Sequence, residues 1–239
     1  MAELYYNSLF SDANLIGYWR LENVNDSKAS YTLTNNNTVT FTTGVYNNAS
    51  NFGATNTNKS LDSASNLTID GGACSICCRV KLLAEIGSGT WTLVGQSSKT
   101  TSYVREQLSY EYNGGTQRIG FNRTKNNVAA ETSYYTITLG TANWYHMVYT
   151  YDATNIRGYV NGALVAGPTA ASGAGGNSAG HDGFAIGAGC DGGNTARTME
   201  NFSSSVIDDV AVFNRALSAA EVLSLFSGGH GLTTLSVGS

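Results

Sequence analysis

Three of the four cysteines fall within five residues, at Cys74, Cys77 and Cys78 in the run "CSICCRVK". Thiolates so close together hold zinc or run disulfide exchange, and Cys74 and Cys77 have the Cys-x2-Cys spacing of a zinc knuckle. A tetrahedral site needs a second pair of ligands. Cys190 is the one other cysteine besides Cys78, and His146, His181 and His230 show no paired spacing. The same residues also alternate as a strand. Cys74, Ile76, Cys78 and Val80 then share one face, and Ser75, Cys77, Arg79 and Lys81 the other. With the thiols split between faces, Cys74 and Cys78 are expected to be free thiols filling core volume beside Ile76. A bridge from one of them to Cys190 is the alternative. Unpaired thiols suit synthesis and assembly in a reducing cell.

Acid and base chemistry has little to work with. Glu85, Glu106, Glu111, Glu131 and Glu200 are isolated, and Glu106 and Glu111 have opposite strand parity. A retaining glycosidase needs two carboxylates on one face, about 5 Å apart. Asp208 gives a sharper signal. Val210 and Val212 should face a core, and Asp208 shares their parity, so the pattern directs a carboxylate inward. There it needs a cation or several donors. Backbone N–H groups, Arg20 and Arg215 could each supply them. His146, on the parity of Trp144 and Val148, reads as a packed strand histidine.

The elements that must position these groups are strands. Charged residues are only 13% of the 239, Pro168 is the one proline, and there are 28 glycines amid abundant Asn, Thr and Ser. Thr and Tyr fit pleated surfaces, and Gly and Asn supply turns. The net charge of -4 is spread without runs, which leaves no footprint for nucleic acid or an anionic membrane surface. No apolar run reaches the roughly 20 residues of a membrane helix. The opening "MAELYYNSLFSDANLIGYW" has neither a basic start nor a continuous apolar stretch, so no signal peptide is expected there.

Trp144 to Tyr151 alternates as a strand, Asp152 to Asn155 turns, and Ile156 to Val160 alternates again. Asn161-Gly162 is a two-residue hairpin signal. Asp70-Gly71-Gly72, Asn113-Gly114-Gly115 and Asp191-Gly192-Gly193 read as further turns, and Ala171 to Gly183 as a glycine-rich loop. Ser218 and Glu221 form a capping box for one short helix that Gly228-Gly229 ends. The expectation is an all-β antiparallel sandwich or barrel, one domain over residues 1–239.

"NWYHMVYTYDATNIRGYVNGALV" (Asn143 to Val165) resembles the Trp-x-His-Val-x-x-Tyr-Asp, then Tyr-Val-Asn-Gly, signature of laminin G-like, concanavalin A-like jelly-roll domains. "IDDVAVFNRALSAAEVLSLF" resembles that family's closing strand and helix, and "LIGYWRLENVNDS" its opening strand. "CSICCRVKL" falls where the family has a Phe-Thr-Ile-Ser-x-Trp-Val-Lys strand, with Cys74 in an aromatic's place and Arg79 in the tryptophan's. The resemblance spans about residues 14–226, the domain's expected core, and implies a two-sheet antiparallel jelly-roll β-sandwich with a short C-terminal helix.

Such folds serve lectins, adhesion modules, glycosidases and virion proteins alike, so the site must decide. The glycosidase pattern Glu-x-Asp-x-x-Glu is absent from this sequence. The resemblance implies a structural calcium near Asp208. Asp209 and, from the opening segment, Glu22, Asn25 and Asp26 are the candidate companions, since calcium takes six to eight oxygens. For carbohydrate, aromatic platforms with amides and hydroxyls are offered by Tyr110, Tyr112, Asn113, Tyr134, Tyr135, His181, Asp182, Asp191 and Asn194. The expected function is non-catalytic recognition of carbohydrate or a glycosylated surface protein, outside the cell, on its surface or on a virion. A structural subunit of a virion or extracellular assembly is the alternative, with a homo-oligomer or a capsid or fibre partner, and a glycoside hydrolase is a third reading.

Overall fold

The computed structural model describes residues 8–28, 30–54, 57–63, 67, 69, 72–98, 104–125, 131–171, 181–192 and 197–228. Among them eight strands form one antiparallel sheet. In spatial order it runs β13 (Ala163–Ala170), β12 (Asn155–Val160), β11 (Tyr145–Tyr151), β6 (Cys74–Leu82), β17 (Ser205–Phe213), β4 (Asn48–Asn51) and β3 (Thr40–Thr43), and β1 (Leu15–Trp19) also pairs with β17. The facing sheet has seven: β10 (Glu131–Thr136), β9 (Thr116–Lys125), β8 (Val104–Asn113), β7 (Gly89–Ser98), β14 (His181–Ile186), β5 (Ser60–Ser63) and β2 (Thr34–Asn36). A small ribbon of β15 (Gly189–Gly192) and β16 (Arg197–Glu200) lies against β7. The expected jelly-roll sandwich is the observed fold. No helix of the described residues is long and apolar enough to cross a membrane.

Local signals explain the joints. Asn161 and Gly162 both take positive φ between β12 and β13, as a two-residue turn with right-handed strand twist requires. Gly114 and Gly115 do the same between β8 and β9. The helix α1 (Ala219–Ser227) starts on the full Ser218–Glu221 capping box and stops at Gly228 in the left-handed conformation. Two expectations move: His181 and Asp182 begin strand β14 instead of ending a loop, and Asp191 lies in β15 instead of a turn.

The inter-sheet core takes Cys74, Ile76, Cys78 and Val80 from β6 together with Trp19, Phe121, Phe184 and Tyr149. Trp19 stacks on Phe184 with ring centroids 4.7 Å apart. Cys77, on the opposite parity, is buried as well, because α1 and the Ser8–Ser11 turn roof the outer face of the larger sheet. It packs there with Tyr18, Val148, Phe213, Val222 and Leu225. Alternation therefore sorts the cysteines as expected, and the roof buries the face that alternation alone leaves open.

All three are free thiols. Burial pushes each upward, Cys78 to about 12, so none is a ready nucleophile. Thiol labelling with peptide mapping should find Cys74, Cys77 and Cys78 unreactive in the native protein and reactive in denaturant. Prompt native labelling at any of the three would contradict this packing.

Arg79, on the same parity as Cys77, also lies under the roof. Its guanidinium donates to the Leu225 carbonyl at 2.9 Å, near the C-terminal end of α1 where carbonyls lack partners. Beside it, Cys77, His146, Asp209, Ala211 and Leu225 line a cavity of about 20 Å³. His146 is buried, and burial, then the Arg79 charge, holds it well below its ordinary pKa. It is a neutral packed strand histidine, its ring centroid 6.1 Å from that of Phe226.

Candidate functional site

Asp208 and Asp209 occupy a β-bulge. Register slips between Asp208 and Ala211, and Asp209 takes φ +50°. The slip places Asp208 opposite Arg79 and off the parity of Val210 and Val212, which corrects the inward direction read from simple alternation. Its carboxylate accepts N–H bonds from Val45 at 2.8 Å, Tyr46 at 3.2 Å and Asp209 at 3.0 Å. Gly44 permits this, since a Cβ there would stand 2.5 Å from the carboxylate oxygen. Burial, then the Asp209 charge, raises the pKa of Asp208, and the three N–H donors oppose the rise. Asp209 accepts the Tyr18 hydroxyl at 2.6 Å and lies 3.8 Å from the Arg79 guanidinium.

In the opening segment Asp26 accepts four backbone N–H groups, from Tyr18, Lys28, Ser30 and Tyr31, at 2.8–3.2 Å. Glu22 accepts from Arg20 and Asn47, and Asn25 is exposed, its backbone N–H on the Asn23 side chain. Among the described residues no three His, Cys, Asp or Glu side chains are grouped to hold a metal ion. Both carboxylate oxygens of Asp26 and of Asp208 already face N–H donors, the wrong electrostatic partners for oxygens that are to hold a cation. Excess EDTA should leave the melting temperature unchanged. A fall that added calcium reverses would restore the metal.

The groups that do converge lie on the outer face of the seven-stranded sheet. On β8, Leu108 and Tyr110 enter the core while Gln107, Ser109 and Glu111 point away; on β9, Ile119 and Phe121 enter while Arg118, Gly120 and Asn122 point away. Ser109 stands opposite Gly120, Glu111 opposite Arg118 and Gln107 opposite Asn122. Ser109 donates to Glu111 Oε1 at 2.8 Å, and Asn122 donates to Ser109 at 2.7 Å. Arg118 donates Nε and Nη2 to Glu111 Oε2 at 3.2 and 3.1 Å. A Cβ on Gly120 would come within 2.5–2.8 Å of Ser109, Glu111 and Asn122, so glycine makes the room in which they meet.

Tyr134 of β10 completes the group. It stands opposite Gly120, its ring centroid 3.6 Å from the Arg118 guanidinium carbon, and it is 43% exposed. The guanidinium is thus clamped between a carboxylate and an aromatic face. The ring and the edge of Arg118 are the accessible parts of the group, while Ser109 is fully buried and Gln107, Glu111 and Asn122 lie just beneath, 6–8% exposed.

The other proposed contacts scatter. Tyr135 stands opposite Ile119 and packs on the core, as does Tyr112, and Tyr110 is buried with its hydroxyl on Gln117. Asn113 lies exposed where β8 turns into β9. His181, Asp182 and Asp191 are strand residues whose side chains lie outside what the structure describes, and Asn194 lies outside the described residues. Of these residues, Tyr134 is the one seen in the cluster. Glu111, Arg118, Ser109, Asn122 and Gln107 were missed, although polar alternation along "QLSYEY" and "QRIGFN" marks them.

Glu106, five residues from Glu111, lies on the opposite side of its sheet, buried between the sheets. It pairs with Arg123 at 2.9 Å and takes the Tyr149 hydroxyl, while Arg123 lies 4.0 Å from the Tyr151 ring centroid. The two glutamates therefore do not form a catalytic pair.

Residues 52–223 match the model of the concanavalin A-like lectin/glucanases superfamily. Among solved structures, domain 4 of AbnA, a GH43 extracellular arabinanase from Geobacillus stearothermophilus in complex with arabinotriose, is similar at TM-score 0.61 and 15% identity, covering 89% of this chain and 98% of that one. Trypanosoma rangeli sialidase is similar at TM-score 0.62 and 18% identity, covering 90% and 32%. The binding domain of botulinum neurotoxin DC in complex with SialylT is similar at TM-score 0.62 and 11% identity, covering 90% and 51%. The chain thus spans about a third of the sialidase and half of the neurotoxin domain. No curated protein sequence matches it. At these identities the structural likeness is one of fold, shared by binding domains and by parts of glycosidase chains. The match over residues 52–223, on the sandwich described above, establishes that the chain belongs to the concanavalin A-like lectin/glucanases superfamily.

Proposed function

We propose that the protein is a non-catalytic recognition module that binds carbohydrate, or a glycosylated partner, on the outer face of β8, β9 and β10. The observation that carries this reading is the Ser109–Glu111–Arg118–Asn122 cluster with the exposed Tyr134 ring stacked on its guanidinium. Sugars present apolar C–H faces and rings of hydroxyls, and an aromatic surface flanked by fixed amide and charged groups matches both. The arabinanase domain was solved in complex with arabinotriose and the neurotoxin binding domain in complex with SialylT, which gives the same fold a precedent for the role. Glu106 and Glu111 face opposite sides of β8, which favours recognition over hydrolysis.

A glycan array probed with the purified protein tests this reading. Reproducible hits are expected, with no release of reducing sugar from the same glycans. A blank array on folded protein would contradict carbohydrate binding, and sugar release would contradict the non-catalytic assignment.

A further inference from the structure

We infer that this site takes a short, uncharged saccharide, an inference that rests on the carbohydrate reading above. Charge is the first reason. The Glu111 carboxylate and the Arg118 guanidinium are each other's partners, and both Glu111 oxygens are engaged, one by Ser109 and one by Arg118. The pair sums to zero. An acidic sugar could reach the remaining Nη1 donors only beside Glu111, which would leave two carboxylates competing for one cation.

The groups still free to bind are mainly neutral. Among the described residues the exposed Tyr134 hydroxyl makes no hydrogen bond, nor do the Gln107 amide and the Asn122 carbonyl oxygen, whose residues are each 6% exposed, and Arg118 keeps its Nη1 donors. Amides and hydroxyls both give and accept, as a sugar hydroxyl requires.

Extent is the second reason. Farther along the same face Thr92 of β7, Ala185 of β14 and Asp62 of β5 are each fully buried, and β15 lies over β7 beside Thr92. On β8 and β9 Ser109 is fully buried as well and Gln107, Glu111 and Asn122 are only 6–8% exposed, so the accessible part is Tyr134 of β10 and the edge of Arg118. That seats a mono- or disaccharide and gives an extended polysaccharide no track across the sheet.

The test is an array carrying neutral oligosaccharides, their sialylated counterparts and long neutral polysaccharides, followed by calorimetry on the hits at low and high sodium chloride. Neutral short glycans should bind, with a Kd that changes less than about twofold with salt. Glu111→Gln, which frees the guanidinium, should raise affinity for sialylated glycans by about fivefold, the order of one exposed ion pair. Salt-sensitive binding confined to sialylated glycans would overturn the uncharged assignment, and binding confined to polysaccharides would overturn the short one. Either result leaves carbohydrate recognition standing. A blank array removes that reading, and this inference with it.

Discussion

Arg123→Leu should destabilise the protein by about 3–5 kcal/mol at alkaline pH, and by distinctly less at pH 6. Arg123 is fully buried between the sheets, and its loss leaves Glu106 without its cation. Burial already lifts Glu106 from 4.5 to about 7, against the pull of the Arg123 charge. An acid whose folded pKa exceeds its unfolded one keeps a proton that the unfolded chain has released. Its contribution to stability therefore falls as pH rises from about 4.5 to about 7. Without Arg123 the folded value climbs further, and the falling window extends above pH 7. Urea unfolding at pH 6 and pH 8.5 measures both effects. Equal losses at the two pH values would contradict the role given to Glu106.

Tyr134→Ala should lower affinity for any bound glycan at least tenfold, since an aromatic contact contributes on the order of 1 kcal/mol beyond the area it covers. The ring is 43% exposed and lies outside the core, so the melting temperature should hardly move. Tyr134→Phe keeps the stacking surface and should retain most of the affinity. Calorimetry with the best array ligand checks all three proteins. Unchanged binding by the alanine variant would remove the platform from the site.

Much of the scaffold was legible because it rests on local rules. Asn161-Gly162 requires positive φ, Ser218 and Glu221 cap reciprocally, and Cys74 and Cys78 share parity with Ile76. Asp208 was misread because one extra residue in a strand reverses parity, and an aspartate in the left-handed conformation leaves no unambiguous mark in sequence. The buried Cys77 face depends on α1 folding back over the sheet, a tertiary event.

The binding face lay between these cases. Residue type alone favours the tyrosines, and parity is what separates Tyr134 from Tyr112 and Tyr135. The turn at Gly114 and Gly115 fixes the register that brings Ser109 opposite Gly120 and Glu111 opposite Arg118. Pairing across that hairpin reveals the cluster, whereas the isolated spacing of its members does not.

The most direct measurement of the site is amide chemical-shift perturbation as a neutral array hit is titrated into labelled protein. Perturbations are expected at Gln107, Ser109, Glu111, Arg118, Gly120, Asn122 and Tyr134, on one face of three adjacent strands. A pattern confined to the opening segment around Glu22 to Asp26, or to the roofed face around Arg79 and His146, would contradict this assignment of the carbohydrate site.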